Sequence, residues 1–296
     1  MKHPVFGPPP GVYTPSFVAL GADGISPATR REFDDGPGFF DRFEGRISVE
    51  DLAGLDVLDL GCGFGGRTAY YALHGRPRTM IGLEIDLLLV ETALHSAPRY
   101  SDHPRLRFLQ GCGEQLPFAD ESFDVIFSYD VFEHVADLPR VLAECHRVLR
   151  PGGRLFAMFP PYFGPRAHHL DFITTLPFLH HLFSPRVLVA AANDIVERHP
   201  ELERVPFPLD GDDRVLPTLN GTTERAFRRI VRALPFDVEE IALVPYAWAP
   251  PGPPRGAMRN LVFRSAGALL HLPWPCTRDV LVSFIRCVLR KPHRPA

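Results

Sequence analysis

The ten residues VLDLGCGFGG at 57–66 constrain this chain more than any other stretch. Val57, Leu58 and Leu60 read as a buried strand that runs straight into a turn with glycine at 61, 63, 65 and 66. The helix-compatible segment RTAYYALHG follows at once. Glycine at these positions permits positive φ and leaves no Cβ between backbone and ligand. Such a turn delivers a ligand to a helix N-terminus, where free N–H groups and the helix dipole favour a carboxylate or phosphate. The stretch therefore predicts a strand–turn–helix unit built around a nucleotide-like cofactor.

The chain up to about residue 160 repeats that alternation. Strands are expected near 55–60, 78–83, 105–109, 123–128 and 153–159, with helices near 65–74, 86–97 and 137–149. This order specifies a parallel sheet covered on both faces. The helix at 137–149 has the clearest signals. Asp137 is placed to cap it and Pro139 suits its first turn. Leu138, Val141, Leu142, Cys145, Val148 and Leu149 recur at helical spacing, and Pro151-Gly152-Gly153 ends it. Before the glycine turn, residues 1–15 form a proline-rich arm, and Phe33, Phe39, Phe40 and Phe43 predict one or two helices capping the cofactor site.

Beyond residue 160 the pattern breaks. PPYFGPRAHHLDFITTLPFLHHLF has no clean period, Ser184-Pro185 opens a helix to about 198, and Thr222 opens another that puts Phe227, Ile230, Val231 and Leu234 on one face. Two strands are expected at 238–246 and 279–290, separated by a proline-rich loop and the apolar helix candidate RNLVFRSAGALLHL. The organisation read here is a 1–50 arm with capping helices, a 51–160 cofactor-binding core, a 161–235 lid and acceptor-site insertion, and a 236–292 segment completing the sheet.

Composition narrows the partners. A formal charge of −3 supplies no positive field for nucleic acid, so none is expected as substrate. The five cysteines at 62, 112, 145, 276 and 287 are odd in number and include no C-x-x-C pair, so zinc and disulfide frameworks are disfavoured and a reducing cytoplasm is expected. No stretch approaches the roughly 20 apolar residues that a membrane span requires.

A dinucleotide loop reads G-x-G-x-x-G; here the spacing is G-x-G-x-G, two residues after Asp59, and an acid follows in MIGLEID as Glu84. Further on come LPFADESFDVIFSYDVFEHV at 116–135 and HRVLRPGGRLF at 146–156. Together, over roughly residues 36–160, these resemble the class I S-adenosylmethionine-dependent methyltransferases, in particular the small-molecule (type 11-like) group with E/D-x-L-P-F and L-x-P-G-G signatures. The resemblance implies an α/β, Rossmann-like seven-stranded sheet in the order 3-2-1-4-5-7-6, strand 7 antiparallel, helices on both faces and an α-helical lid. It implies S-adenosylmethionine as cofactor. Asp59 and the amides around Gly61, Cys62, Gly63 and Gly65 would hold the methionine ammonium and carboxylate, Glu84 the ribose hydroxyls, and Ile85 the adenine face. Relatives often carry G-D-A-E-x-L-P-F at the adenine edge. Here the segment reads GCGEQLPF, so Cys112 stands in place of an acid, and a thiol is a poor acceptor. Glu114 or Gln115 would take that contact, or the backbone of Gly113 and Glu114. Ser128 and Tyr129 end the fourth strand, over the methionine and the reacting methyl.

A hydroxyl or carbon acid as acceptor would need a base. His168 and His169, after the fifth strand, are the first candidates, and His134 is a third; histidine suits a phenol or enol near neutral pH. These histidines with Glu133 and Asp171 could instead ligate a divalent metal, but no metal is expected. The resulting expectation is methyl transfer to a small, lipophilic acceptor, with O-methylation in secondary metabolism favoured. C-methylation of a quinone-like ring, or a reaction without methyl transfer, stand as alternatives. If the chain assembles, a homodimer is the expected form.

Overall fold

Every residue of β1 (Asp56–Leu60) is buried. A strand buried on both faces needs a neighbour on each side and cover above and below. The computed structural model, which describes residues 19–165, 167–168, 170, 174, 176–199, 219–245 and 279–293, supplies both. β2 (Thr79–Glu84) and β4 (Phe123–Tyr129) flank β1 in parallel, with Leu58 opposite Ile81 on one side and Ile126 on the other. β3 (Leu106–Gln110) and β5 (Leu149–Phe159) extend the parallel sheet outward. β7 (Val282–Arg290) then pairs antiparallel with β5, and β6 (Asp237–Pro245) antiparallel with β7. The order is β3-β2-β1-β4-β5-β7-β6, as the motifs led one to expect.

Successive residues of a strand face opposite sides, so β1 feeds two cores. Leu58 joins Ile126, Leu142, Cys145, Phe227 and Ile285 on one face. Val57 joins Phe39, Phe43, Tyr71, Phe127 and Phe156 on the other. The first face is covered by α5 (Leu138–Val148), capped by the Asp137 side chain as expected, and by α8 (Glu224–Arg232). The second is covered by α3 (Gly66–Gly75), α4 (Leu87–Ser96) and the N-terminal helices α1 (Pro27–Asp34) and α2 (Gly36–Asp41). Ser26 caps α1, accepting from the Thr29 amide, and Pro27 starts it. The phenylalanines noted in the sequence anchor this cap. Phe39 meets Phe127 edge-on at 5.1 Å, Phe43 meets Phe156 at 5.3 Å, and Phe33 stacks on Tyr100 at 3.9 Å.

Several boundaries shift. β5 begins at Leu149 rather than 153 because Leu149 pairs with Phe123 before the Pro-Gly-Gly turn, where Gly152 takes φ 84°. Residues 279–281 form a 3-10 turn ahead of β7. α8 is capped by Thr223 rather than Thr222. In the insertion, α6 (Leu179–Leu182) and α7 (Pro185–Arg198) follow β5, and Ser184-Pro185 begins α7. His169, Asp171, Cys276 and the apolar helix candidate lie outside the described residues. Among the described residues no helix is long and apolar enough to cross a membrane.

One buried cation ties the sheet to the cap. Arg286 of β7 is 5% exposed; its Nε donates to Glu240 Oε2 at 2.9 Å and its Nη1 lies 3.0 Å from Glu44 Oε1. The same guanidinium donates to the Arg42 carbonyl oxygen.

Candidate functional site

The glycine turn sits at the carboxyl end of β1, where open α/β sheets bind ligands. Gly61 has φ 76°, its amide donates to Leu83 O at 2.8 Å, and a Cβ there would stand 2.2 Å from Val131 Cγ2. The Cys62 amide donates to the same carbonyl at 3.1 Å, while its side chain is buried in the second core. Burial raises that thiol well above its usual range, with Asp59, Glu84 and Glu32 adding to the rise. Cys62 is thus a packing residue whose amide, not its sulfur, belongs to the loop. Gly66, the first residue of α3, allows α1 to lie directly on the turn.

That contact brings in a residue with no motif to announce it. Glu32 of α1 accepts from Phe64 N through Oε1 at 3.1 Å and from Gly66 N through Oε2 at 3.0 Å. Thr29 Oγ1 beside it donates to Phe64 O at 3.0 Å. Burial lifts the Glu32 carboxyl to about 7, against the pull of Arg67 and the two amides. Asp59 is also engaged, since its Oδ2 accepts from Thr68 Oγ1 at 2.6 Å, bracing β1 against α3. Burial raises Asp59 too, with Thr68 and Arg67 opposing.

Glu84 ends β2 and accepts from Gly63 N at 3.1 Å, Ile85 N at 2.8 Å and Asp86 N at 3.1 Å. It therefore faces both the glycine turn and the start of α4. Burial raises its pKa, and these amides partly restore the anion. Ile85 beside it is half-buried, and its carbonyl accepts from Gln110 Nε2 at 3.1 Å. Cys112 and Gly113 are half-buried in the loop after β3, which Gly111 N ties to Glu84 O at 2.9 Å. Glu114 turns to the next loop, accepting from Ala136 N at 2.9 Å and Asp137 N at 3.3 Å, and Gln115 is exposed. Glu114 Oε1, on one of the residues expected to stand in for an acid at Cys112, is thus engaged by residues 136–137. Arg147 of α5 fixes the following L-P-F segment, donating to Leu116 O at 3.0 Å and Phe118 O at 2.7 Å.

Between α1, α3 and the end of β4 lies a cavity of about 230 Å³ whose walls include Glu32, Asp35, Phe64, Arg67, Tyr129 and Asp130. The Tyr129 ring lies under two cations, with the Arg67 guanidinium 4.8 Å and that of Arg42 5.3 Å from its centroid. Arg67 has no ion pair within 4 Å among the described residues. Burial works against its charge, yet Glu32, Tyr71 and Asp59 raise its pKa overall. Ser128 is 2% exposed, and its Oγ has no hydrogen-bond partner among the described residues. Asp130 takes φ 55° immediately after Tyr129. These residues fit a nucleoside carrying an amino acid. Arg67 is available to a carboxylate, Glu32 to an ammonium, and Glu84 to a diol at the neighbouring strand end. Arg67, Glu32 and Thr68 were not singled out in the sequence. Arg67 had one signal, because a cation in the first turn of a helix opposes the dipole and asks for a reason.

The histidines divide. His134 is half-buried, with Nε2 3.5 Å from Glu133 Oε1, on the loop joining β4 to α5. His168 is 2% exposed and braces its own loop. Its Nδ1 accepts from Leu170 N at 3.0 Å and its Nε2 donates to Leu176 O at 3.1 Å. With both ring nitrogens committed it has no lone pair for an acceptor's proton in this arrangement, and it does not line the cavity. His169 lies outside the described residues. Among the described residues no three His, Cys, Asp or Glu side chains converge as a metal site.

Known proteins resemble this chain in part of its sequence and in its fold. Residues 58–157 match the family described as a methyltransferase domain. The malonyl-[acyl-carrier protein] O-methyltransferase of Pectobacterium atrosepticum is 36% identical over 135 residues, 43% of this chain and 50% of that protein. The phthiotriol/phenolphthiotriol dimycocerosates methyltransferase of Mycobacterium leprae is 35% identical over 105 residues, 36% of this chain and 37% of that protein. The chain thus spans half or less of these relatives' length. An S-adenosylmethionine-dependent methyltransferase from Mesorhizobium loti shares the fold, with a TM-score of 0.52 at 17% identity over 86% of this chain and 99% of the other. Motif order, sheet order and the matched family agree: residues 58–157 form a class I S-adenosylmethionine-dependent methyltransferase domain, and S-adenosylmethionine is its cofactor.

Proposed function

We propose that this chain transfers a methyl group from S-adenosylmethionine to a small, lipophilic acceptor, most readily at a hydroxyl oxygen. The observation that carries this is the cavity at the end of β4, which Arg67, Glu32 and Tyr129 line beside the glycine turn, Arg67 having no ion pair within 4 Å among the described residues. The cofactor supplies an electrophilic methyl on a sulfonium. The chain's own part is to position and to exclude water. Arg67 holds the carboxylate end, Glu84 the ribose, the 111–114 backbone the adenine edge, and Ser128 and Tyr129 line the methionine side. Holding the reactants in line supplies on the order of 7–11 kcal/mol at best, and a dry site keeps competing nucleophiles out.

Oxygen as the acceptor atom is supported by the relative named for O-methylation of malonyl-[acyl-carrier protein], and a lipophilic acceptor by the one named for dimycocerosates. His134 beside Glu133 is the remaining base within the described residues, and His169 is retained as a second candidate. In this reading the described part of the 161–235 insertion ahead of α8 acts as the lid, while α8 itself packs in the first core. The lid's described end is fastened over the β4–α5 loop by Asn220, whose Nδ2 donates to Phe132 O at 2.7 Å and Val135 O at 2.9 Å. Asn220→Ala should therefore raise the KM for acceptor severalfold while S-adenosylhomocysteine affinity stays within twofold; equal loss of both would remove the lid role.

Calorimetric titration with S-adenosylhomocysteine, using NAD as control, tests the whole reading. Saturable micromolar binding is expected for the first ligand and none for the second. Arg67→Ala should weaken S-adenosylhomocysteine by about 30-fold, equivalent to roughly 2 kcal/mol for one lost, partly desolvated ion pair. A folded wild-type protein that fails to bind overturns the proposal. An unaffected Arg67→Ala variant moves the carboxylate elsewhere.

A further inference from the structure

The start of a helix behind a glycine turn is ordinarily an anion site. In this protein the chain fills it. Glu32, brought in on α1, spans the Phe64 and Gly66 amides with its two carboxylate oxygens at 3.1 and 3.0 Å, and it also forms part of the cavity wall. A ligand phosphate or carboxylate aimed at these amides would meet a like charge instead of free N–H groups. A cation there would meet a carboxylate that forms part of the cavity wall. Asp59, the acid of the motif, accepts from Thr68 through Oδ2 and does not line this cavity.

We propose that Glu32 is a specificity-determining residue that reverses the sign of the glycine turn, rejecting phosphate-bearing nucleotides and holding the ammonium of the cofactor's amino-acid end. This rests on the methyltransferase reading above. The ammonium lies on Glu32 and the carboxylate on Arg67, which line the same cavity and act on each other electrostatically. The division explains why a cation in the first turn of α3 is tolerated, since Glu32 at the turn offsets it.

Two ligands separate this role from a merely structural one. 5′-Methylthioadenosine keeps the adenosine and sulfur of S-adenosylhomocysteine and lacks its ammonium and carboxylate. Glu32→Gln preserves shape and one acceptor oxygen. It should weaken S-adenosylhomocysteine at least tenfold and leave methylthioadenosine within twofold, while Glu32→Asp recovers part of the loss. A second readout is proton release. Glu32 stands among Arg67 of α3, Asp59 of β1, Arg31 of α1, Asp35, and Tyr129 and Asp130 at the end of β4, and burial places its titration at about 7. A bound ammonium favours the anion, so S-adenosylhomocysteine should expel a fraction of a proton at pH 7 and none at pH 9. Calorimetric enthalpies in buffers of different ionisation heat read this directly, and the Glu32→Gln variant should show none. Equal weakening of both ligands, no weakening of either, or proton release that survives in Glu32→Gln would overturn the inference. Wild-type protein that binds methylthioadenosine and S-adenosylhomocysteine equally would overturn it without touching the methyltransferase reading. Failure of the wild type to bind either ligand defeats both.

Discussion

Gly66→Ala should destabilise the fold by about 3 kcal/mol, the upper end of the usual cost of overpacking, and so lower the melting temperature by roughly 6–12 °C. It should also weaken S-adenosylhomocysteine at least tenfold. The added methyl would stand 2.0 Å from Thr29 O and 2.6 Å from Phe33 N, and both are backbone atoms that no rotamer change can move aside. Relief requires α1 to lift from α3, which takes Glu32 off the Phe64 and Gly66 amides and opens the cavity wall. Gly38→Ala is the control. Its new methyl would meet only Arg42 Nη1 at 3.8 Å, within α2, so it should be neutral or stabilise by about 0.5–1 kcal/mol through helix propensity. Similar melting of the two variants would show that α1 is not seated through Gly66.

Arg286→Met is the second large effect, expected to cost about 3 kcal/mol, at the lower end for breaking a buried pair. The lower end applies because Glu240 retains Arg46 at 3.4 Å and Glu44 is exposed and readily solvated. What remains is a carboxylate on β6, its side chain 14% exposed, without its main partner. Adding Glu240→Leu should return most of the lost stability, since a well-packed apolar pair avoids the desolvation of both charges. Glu44→Ala alone should shift melting little, as exposed ion pairs contribute about 0–1 kcal/mol. Chemical denaturation of the three variants measures the coupling. A single Arg286→Met variant as stable as the wild type would show that the contact carries no weight.

Most of the sheet was legible because its signals are local. The glycine turn, the Asp137 cap and the apolar spacing of 138–149 each lie within a dozen residues, and each strand was located to within a few residues. The edge order β5-β7-β6 was not readable from any periodicity and came only with the motif resemblance. The site divided in the same way. Glu84 could be placed at a strand end from sequence alone, and it sits there on three amides. Glu32 could not, because its meaning depends on α1 folding back over a turn about 30 residues ahead, and no local pattern encodes that meeting. His168 attracted attention as a nucleophile's partner because paired histidines after a strand suggest chemistry. Sequence gives no sign that both its nitrogens close a loop between residues 168 and 176. Asp59 could be placed at the end of β1 from sequence, but its contact with Thr68, which braces β1 against α3, could not.

The position of β7 inside the sheet has a consequence for how the chain is made. The strand between β5 and β6 is the latest of the three in sequence, and through Arg286 it also reaches back to residues 42 and 44. During synthesis the parallel half can pair as soon as residue 159 emerges, but β5 then presents an open edge of unpaired amides and carbonyls until 282–290 arrive. Open edges invite pairing with other chains, and contacts this distant in sequence form slowly. The nascent protein is therefore most prone to aggregation in the interval between its fifth strand and its seventh, when the cofactor-binding half is assembled and its flank is still bare.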